Sequence, residues 1–339
     1  MKKIGIGIIG AGRIGKLHAK SITYHIPEAE IAIISDPVID VAKAVAGELS
    51  IPQYVADYKE VLKCPNVDAV LICSPTDTHA DIAIEAARLG KHIFCEKPVD
   101  REIEKIVETK KVVEACKVKM QIGFNRRFDH NHKRVRDLAK SGVLGDIHVV
   151  KITSRDPEPP PAAYVRVSGG LFLDMAIHDF DMARFQSGSE VEEVFACGAV
   201  LVDPAIGKEG DIDTAIVTLK FKNGALGVID NSRKAVYGYD QRVEVFGSKG
   251  MASGENDCPT TVRVSTAAEV SSDKPQYFFL QRYMESFVDE MKAFIDAVRR
   301  DAPVPVGIDD GLKPVVIAKA ALKSLRENRP VRCDEIYRF

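Results

Sequence analysis

The feature that most constrains the fold is a glycine-rich turn near the N-terminus. The apolar run Lys3–Ile9 is typical of a strand, and the periodicity of Arg13–Tyr24 is typical of a helix. Between them lies Gly10-Ala11-Gly12-Arg13-Ile14-Gly15. Such a run between a strand and a helix indicates a dinucleotide-binding βαβ unit, because its glycines permit a tight turn, close approach of a pyrophosphate and close helix–strand packing. We therefore predict a Rossmann doubly wound parallel sheet.

The same turn predicts how a dinucleotide is held. A helix N-terminus presents N–H groups and the positive end of its dipole to phosphates. Asp36 ends the second predicted strand, where its carboxylate can accept hydrogen bonds from both ribose hydroxyls and would repel a 2′-phosphate. This favours NAD over NADP. The predicted contacts to the pyrophosphate come from Gly10, Gly12, Arg13, Ile14 and Gly15.

Strands alternate with helices up to residue 122. Strand-like runs occupy Glu30–Ser35, Val67–Cys73, His92–Cys95 and Lys119–Ile122, and helical patterns occupy His79–Leu89 and Glu102–Cys116. This alternation is typical of βαβ units with right-handed crossovers. We predict an NAD-binding domain over residues 1–122.

The pattern changes after Gly123, where apolar runs follow one another with few helices between them. The strand-like runs are Ile147–Ser154, Glu193–Val202, Thr214–Phe221, Ala225–Ser232 and Arg242–Phe246. Asn223-Gly224 joins two of them and is a strong hairpin signal. Helical patterns cover Asp129–Lys140, Gly169–Arg184, Tyr283–Arg299 and Leu312–Arg326. We predict a second domain over residues 123–339 that contains an antiparallel sheet.

Composition excludes several classes of function. The chain has 339 residues, a hydrophobic content of 45% and a net charge of −2, so we expect no nucleic-acid or anionic-lipid partner. No apolar run is long enough for a membrane span, and the strand pattern near Met1 leaves no room for a signal peptide.

The seven scattered cysteines indicate a reducing cytoplasm with neither disulfides nor structural zinc. His130 and His132 lie in a polar stretch and are expected on a solvated face rather than at a metal.

Candidate catalytic residues lie in two motifs that are far apart in the sequence. Glu96-Lys97-Pro98 follows an apolar strand, so Lys97 is expected at the carboxyl end of that strand, where the nucleotide crevice of a parallel sheet lies. A lysine there can bind the substrate oxygen and stabilise its negative charge. Asp174 and His178 are four residues apart, which places both on one face of a predicted helix. An imidazole is suited to accept a hydroxyl proton near neutral pH, and the carboxylate can orient it.

A loop after another strand supplies further candidates for cofactor contacts. Ser74 and Thr76 follow Val67–Cys73, so they are expected to reach the ribose or the nicotinamide, although Thr76 or Asp77 would serve equally well as a helix cap. Together with His79, Glu96 and Lys97, they complete the predicted cofactor site. The alternative for Glu96 and Lys97 is a structural salt bridge, and the alternative for His178 is a buried structural histidine.

These motifs carry a resemblance to a known family. The turn Gly10–Gly15, Glu96-Lys97-Pro98 and the run Gly169–Asp179 resemble the glucose-fructose oxidoreductase/inositol dehydrogenase/rhizopine catabolism (Gfo/Idh/MocA) family over essentially the whole chain. The stretches Gln121–Asp129, Ser154–Pro157 and Asn231–Gln241 are similar to the inositol dehydrogenase branch of that family.

The resemblance implies NAD-dependent oxidation of an inositol ring hydroxyl to a ketone, with Lys97, Asp174 and His178 as catalytic residues. It also implies a C-terminal α/β domain with a large, open, mostly antiparallel sheet, and a homotetramer packed through those sheets. The additional polyol contacts that it implies are Asn125, Arg126, Asp156 and Tyr237. Pro75-Thr76-Asp77 stands where relatives often have an asparagine, so the nicotinamide contacts in this loop stay open. The alternatives are a dehydrogenase of another sugar, sugar acid or cyclic polyol, and a non-catalytic NAD-binding regulator.

Overall fold

Six parallel strands form the first sheet in the computed structural model, which describes residues 3–339. They are β1 (Ile4–Ile9), β2 (Ala29–Ser35), β3 (Tyr54–Val55), β4 (Ala69–Ile72), β5 (His92–Glu96) and β6 (Met120–Gly123). Their order is β3-β2-β1-β4-β5-β6, which is the doubly wound order of a Rossmann sheet. The predicted fold of this part is confirmed. The order reverses between β1 and β4, which places a ligand crevice at the carboxyl ends of these two strands.

Helices cross over between these strands. They are α1 (Arg13–His25), α2 (Ile39–Leu49), α3 (Tyr58–Lys63), α4 (His79–Arg88) and α5 (Ile103–Cys116). Of the elements in this unit, α2, α3 and β3 were not predicted from the sequence. α3 and β3 have six and two residues, so their hydrophobic periodicity is weak. α2 has 11 residues with buried side chains at helical spacing, a pattern that the predictions missed.

The second sheet has seven strands and is mostly antiparallel. Its strands are β7 (Ile147–Arg155), β8 (Val191–Ala199), β9 (Thr214–Phe221), β10 (Leu226–Ser232), β11 (Asp240–Gly247), β12 (Gly250–Gly254) and, after two strands outside this sheet, β15 (Val331–Arg332). The order is β12-β11-β7-β10-β9-β8-β15, and among these neighbours β7 and β10 alone run parallel. The expected large, open, mostly antiparallel sheet is confirmed. A separate exposed hairpin consists of β13 (Arg263–Ser265) and β14 (Val270–Ser272).

Eight further helices follow β6 in the described part of the chain. They are α6 (His130–Lys140), α7 (Ala162–Ser168), α8 (Gly170–Asp174), α9 (Ile177–Ser187), α10 (Pro204–Lys208), α11 (Phe279–Arg282), α12 (Met284–Arg299) and α13 (Ile308–Glu327). The helical stretch predicted over Gly169–Arg184 consists of two helices, because the chain breaks at Met175-Ala176 between α8 and α9. Gly169 and Gly170 precede this break with φ of +89° and +83°, a conformation that favours glycine.

The chain forms two compact units. The first contains the residues up to Asn125 together with Glu285–Lys313, and the second contains Arg126–Met284 and Pro314–Phe339. Met291, Phe294 and Ile295 of α12 pack with strand residues of the first sheet in one hydrophobic core. The first unit is therefore completed by a late segment that a single boundary after residue 122 leaves out.

The position of His132 contradicts the expectation of a solvated face. His132 is buried rather than solvated, and burial lowers its pKa to about 4. It lies on the inner side of α6, which the polar character of that stretch concealed. All seven cysteines are free thiols, and none of the helices in residues 3–339 is long and apolar enough to cross a bilayer.

Candidate active site

The glycine-rich turn has the geometry that the sequence predicts. Gly10 has φ of +96°, and a Cβ on it would lie 2.6 Å from the carbonyl oxygen of Cys73. A Cβ on Gly15 would lie 1.9 Å from the carbonyl oxygen of Gly10. A Cβ on Gly12 would meet nothing within 4 Å among the described residues. Gly10 and Gly15 are thus required by close packing, and Gly12 leaves open space at the N-terminus of α1, beside Arg13 and Ile14.

Asp36 lies at the end of β2 next to this turn. Its Oδ2 accepts a hydrogen bond from the N–H of Ala11 at 3.0 Å, and its Oδ1 accepts one from the N–H of Val38 at 3.0 Å. These bonds hold the carboxylate beside the glycine-rich turn. Since each carboxylate oxygen can accept more than one hydrogen bond, the group retains capacity for ribose hydroxyls.

The loop after β4 is held together by its own side chains. Ser74 Oγ and Thr78 Oγ1 are 2.7 Å apart, and Thr78 Oγ1 donates to the carbonyl oxygen of Pro75 at 2.7 Å. Thr76 begins a short 3₁₀ turn, and the residue before α4 is Thr78, so neither Thr76 nor Asp77 caps that helix. Thr76 is half-buried, which leaves part of its side chain accessible.

His79 connects this loop to the lysine motif. Its Nε2 lies 2.7 Å from the carbonyl oxygen of Ser74, and its Nδ1 lies 2.8 Å from the carbonyl oxygen of Pro98. Both ring nitrogens are engaged by backbone, so the predicted direct contact between His79 and a cofactor does not fit this geometry. His79 instead fixes the loop relative to Lys97-Pro98.

Lys97 directly follows β5, at the carboxyl end of the strand, as predicted. It is half-buried, and the Lys97–Pro98 peptide bond is cis. Glu96 Oε1 lies 2.7 Å from Nε2 of the buried His18. Glu96 is thus anchored to α1. Pro98 is in contact with His79 through its carbonyl oxygen, so the residues on both sides of Lys97 are held in position.

Asp174 is the last residue of α8, and two side chains hold it. Tyr164 donates its hydroxyl to Oδ1 at 3.0 Å, and Arg233 donates from Nη1 to Oδ2 at 3.0 Å. His178 is half-buried and lies in the first turn of α9. The two residues therefore flank the α8–α9 break instead of sharing one continuous helix.

Arg233 also faces Asp156. Its Nη1 lies 3.7 Å from Asp156 Oδ2. Burial raises the pKa of Asp156 to about 6, Arg233 opposes that rise, and the charge of Asp174 adds to it. Arg233 is 3% exposed, and among the described residues its Nε and Nη2 have no hydrogen-bond partner. Buried guanidinium donors of this kind are suited to bind the oxygens of a small polar ligand.

Asn125 and Arg126 lie in the turn after β6, and both are buried. Arg126 donates from Nη1 to Asp179 Oδ1 at 2.6 Å and from Nη2 to the Tyr239 hydroxyl at 3.2 Å. Asp179 also accepts from Nδ2 of Asn231 at 2.8 Å. Arg126 is therefore committed to this buried network, which positions α9, rather than presented to a substrate as the resemblance implies.

Tyr237 is separate from the Asp174 group within this unit. Its hydroxyl donates to Asp240 Oδ2 at 2.6 Å and accepts from Arg155 Nη1 at 3.0 Å. Side chains alternate along β7, so Arg155 projects from the opposite face of the sheet to Ser154, which belongs to the Arg126 network. The Tyr237 hydroxyl is thus held by Asp240 and Arg155, and no hydrogen bond among the described residues links it directly to Asp174.

Tyr164 and Arg233 were not predicted from the sequence as site residues. Arg233 lies inside the stretch Asn231–Gln241 that resembles the inositol dehydrogenase branch, which is the one signal that pointed to it. Tyr164 lies in a proline-rich region without a recognisable motif, and its contact with Asp174 becomes visible only in three dimensions.

Comparisons with known proteins identify the family that both parts of the chain resemble. Residues 4–124 match the model of the oxidoreductase family with an NAD-binding Rossmann fold, and residues 132–253 match the GFO/IDH/MocA C-terminal domain. The chain is 52% identical to an uncharacterized oxidoreductase of Bacillus subtilis over 98% of this chain and 97% of the relative. It is 50% identical to the myo-inositol 2-dehydrogenase of Thermotoga maritima over 98% of this chain and 99% of the relative.

A solved structure extends the comparison to a complex. The scyllo-inositol dehydrogenase of Lactobacillus casei with bound NAD(H) and scyllo-inositol is similar with a TM-score of 0.92 and 30% identity, covering 98% of this chain and all of that one (100%). The two family models and the full-length relatives establish that this chain belongs to the Gfo/Idh/MocA family of NAD-binding oxidoreductases.

Proposed function

We propose that this protein is an NAD-dependent inositol dehydrogenase that oxidises one ring hydroxyl of myo-inositol to the ketone. The observation that carries the proposal is the match over nearly the full length to a relative named myo-inositol 2-dehydrogenase. The chain supplies the residues that this chemistry needs, with Lys97 at the end of β5 and with Asp174 and His178 around the α8–α9 break.

The first unit holds the cofactor in this proposal. The open space at Gly12 and the first turn of α1 at Arg13 and Ile14 would hold the pyrophosphate, and Asp36 would bind the ribose. Ser74, Thr76, Glu96 and Lys97 lie at or just beyond the carboxyl ends of β4 and β5, the side of the sheet where such ligands bind. When bound, NAD accepts a hydride from the carbon whose hydroxyl is being oxidised.

The catalytic steps follow from three side chains. Lys97 donates a hydrogen bond to the reacting oxygen and stabilises the negative charge that develops on it. His178 accepts the hydroxyl proton on its imidazole as the hydride leaves the carbon that bears this hydroxyl. Asp174 orients the histidine and the substrate, and it is itself held by Tyr164 and Arg233. The reacting oxygen therefore loses its proton to His178, and Lys97 balances the negative charge that develops on it.

Recognition of the polyol is proposed to use the second group of polar residues. Asp156 accepts hydrogen bonds from ring hydroxyls, and the two unpartnered donors of Arg233 bind hydroxyl oxygens. Asn125, in the turn after β6, is proposed to make a further contact with the polyol. A site that pairs each hydroxyl discriminates strongly against analogues that lack one, because its buried donors and acceptors would be left unsatisfied.

The test is a substrate panel. Reduction of NAD and of NADP is followed by absorbance with myo-inositol, scyllo-inositol, D-chiro-inositol, glucose and a sugar acid. We expect the highest kcat/KM with myo-inositol and NAD. A higher kcat/KM for glucose or the sugar acid than for every inositol would replace the proposed substrate, and no reduction with any compound would favour a non-catalytic NAD-binding regulator.

We also propose that the protein is a homotetramer in the cytoplasm. The strand registers place Ile216, Leu226, Phe246 and Met251 on one face of the seven-stranded sheet, and each is 45–55% exposed. An exposed apolar face of this kind is typical of an interface, and closed symmetry would cover it. Light scattering at micromolar concentration tests this, since a stable monomer would contradict it. The seven free thiols support the cytoplasmic location.

A further inference from the structure

A buried carboxyl group in α12 has no assigned role. Glu290 is completely buried, and among residues 3–339 neither of its carboxyl oxygens has a hydrogen-bond partner. A buried carboxylate that lacks a partner is strongly unfavourable, so such a group is neutralised by a proton or balanced by a ligand. The surroundings of Glu290 decide between these two possibilities.

Glu290 lies close to the titratable side chains of His18 and Glu96, and Glu96 directly precedes Lys97. The Glu290 carboxylate, the Glu96 carboxylate and the His18 imidazole each contribute an atom that lies within 4.8 Å of the other two. His18 comes from α1 and is fully buried against the rings of Phe94 and Phe287, at centroid distances of 5.1 and 5.7 Å. These three residues form the His18–Glu96–Glu290 cluster.

The dimensions of the cluster argue against a metal ion. His18 Nε2 and Glu96 Oε1 are 2.7 Å apart, which is a hydrogen-bond distance. Two ligands of one tetrahedral zinc ion, each about 2.0–2.1 Å from the metal, lie roughly 3.3 Å apart. A shared proton therefore fits between these atoms better than a shared metal ion does.

The other groups near Glu290 do not supply a compensating positive charge. Cys73 follows β4 and Cys95 lies in β5, and burial together with the charge of Glu96 raises the pKa of both thiols. Gln121 of β6 donates from Nε2 to the backbone carbonyl of Glu290 at 2.8 Å, not to its carboxyl group. Burial, and then the charge of Glu96, hold the pKa of Glu290 well above its usual range.

Glu96 has little room to move. A Cβ on Gly123 of β6 would lie 3.0 Å from Glu96 Oε2, so the carboxylate rests directly against the backbone of that strand. His18 holds the other oxygen. A second negative charge at Glu290 would repel Glu96 from this position at the end of β5, and Lys97 is the next residue in the chain.

We propose that the His18–Glu96–Glu290 cluster stores a proton on the carboxyl group of Glu290, and that Glu290 is a positioning residue for Lys97. The first half of this inference stands on the buried geometry of the first unit. The second half rests on the proposed function, because it assigns Lys97 to catalysis.

The first test compares the thermal stability of the wild type, Glu290→Gln and Glu285→Gln between about pH 4.5 and 8.5. A raised folded-state pKa means that the wild type loses stability as pH rises above the ordinary glutamate pKa. The amide in Glu290→Gln cannot ionise, so this variant should match the wild type near pH 4.5. Its advantage in melting temperature should then grow by roughly 2–4 °C per pH unit until Glu290 ionises. Glu285 lies on the same helix but is exposed, so Glu285→Gln should show no such pH-dependent advantage.

Opposite results would overturn the proposal. If Glu290→Gln melts below the wild type at about pH 8, an ionised Glu290 is favourable and the stored proton does not exist. If Zn²⁺ stabilises the chelator-treated wild type but not Glu290→Gln, the cluster is a metal site. Infrared spectroscopy of the wild type at neutral pH keeps the proposal testable even if the variant does not fold. The carbonyl band of a protonated carboxylic acid should be present, and its absence would refute the assignment.

The catalytic half has its own readout. Ionisation of Glu290 in the wild type should displace Glu96 and Lys97 and thereby lower kcat at alkaline pH. In the pH profile of kcat with inositol and NAD, this decline should therefore move to higher pH in Glu290→Gln. Identical profiles would show that Glu290 does not position Lys97. If the protein oxidises no inositol, the melting and infrared experiments still decide the charge of Glu290, so failure of the two proposals can be told apart.

Discussion

Replacement of Arg233 by methionine tests the link between Asp174 and catalysis. Methionine preserves much of the apolar stem but removes the guanidinium that contacts Asp174 at 3.0 Å and Asp156 at 3.7 Å. Loss of a hydrogen bond to a charged group costs about 1.5–3 kcal/mol, which corresponds to a decrease in kcat/KM of about 10–150-fold. We expect NAD affinity to be retained, because Arg233 lies in the second unit.

The loss of kcat/KM in Arg233→Met should depend on pH through the ionisation of Asp156. Arg233 lowers the pKa of Asp156, which is about 6 in the wild type. Without Arg233 that pKa rises, so less of the group is ionised at neutral pH and the carboxylate form is restored only at higher pH. The deficit in kcat/KM of Arg233→Met should therefore shrink as pH is raised from about 7 to 9.

A double-mutant cycle and a control complete the experiment. Asp156→Asn combined with Arg233→Met should lose less activity than the sum of the single changes, because one of two facing carboxylates has gone. Arg329→Met removes an arginine that pairs with Glu335 at 2.7 Å on the surface, where such pairs contribute little, and should leave kcat/KM unchanged. The reasoning is refuted if Arg233→Met stays within about twofold of the wild type with the same pH profile, since a charge-assisted contact is worth at least tenfold.

Four further outcomes are expected. Asp36→Ser should weaken NAD binding by about 10–150-fold, measured by NADH fluorescence titration, and relieve the discrimination against NADP; efficient use of NADP by the wild type would contradict the ribose assignment. Lys97→Ala should keep its fold by circular dichroism and bind NAD while turnover falls by orders of magnitude, and near-normal turnover would remove it from the mechanism. His178→Gln should lose most hydride transfer in single-turnover kinetics, and an unchanged rate with an unchanged pH profile would identify another base. Asp156→Asn should match the wild type in urea unfolding near pH 4 and exceed it above pH 6 by at most about 3 kcal/mol, because the raised pKa makes the ionised form unfavourable; a variant less stable at pH 8 would contradict this sign.

The sequence predicted those parts of the fold that depend on local signals. The spacing of Gly10, Gly12 and Gly15 and the alternation of apolar runs were sufficient to predict a doubly wound parallel sheet, because βαβ units have one handedness, although β3 at its edge was not predicted. The hairpin at Asn223-Gly224 was predictable because its backbone requires φ > 0, and Gly224 has φ of +88°.

Features that depend on distant partners were not predictable. Arg233 is 59 residues from Asp174, and no pattern in either neighbourhood indicates their contact. Glu290 looks like a polar residue on an amphipathic helix, yet its side chain is in the core beside Glu96. The break between α8 and α9 was hidden because both segments are apolar enough to continue one helical pattern.

The late completion of the first unit affects how the chain is made. The ribosome releases the six sheet strands first, but Met291, Phe294 and Ile295, which complete their hydrophobic core, follow only after the intervening residues 126–284. At about 5–20 residues per second, the emerging nucleotide-binding half waits roughly 8–30 s with part of its apolar interior uncovered. During that interval it is a natural client for chaperones. A frameshift or stop codon before α12 would therefore yield an aggregation-prone fragment, not a free-standing nucleotide-binding module.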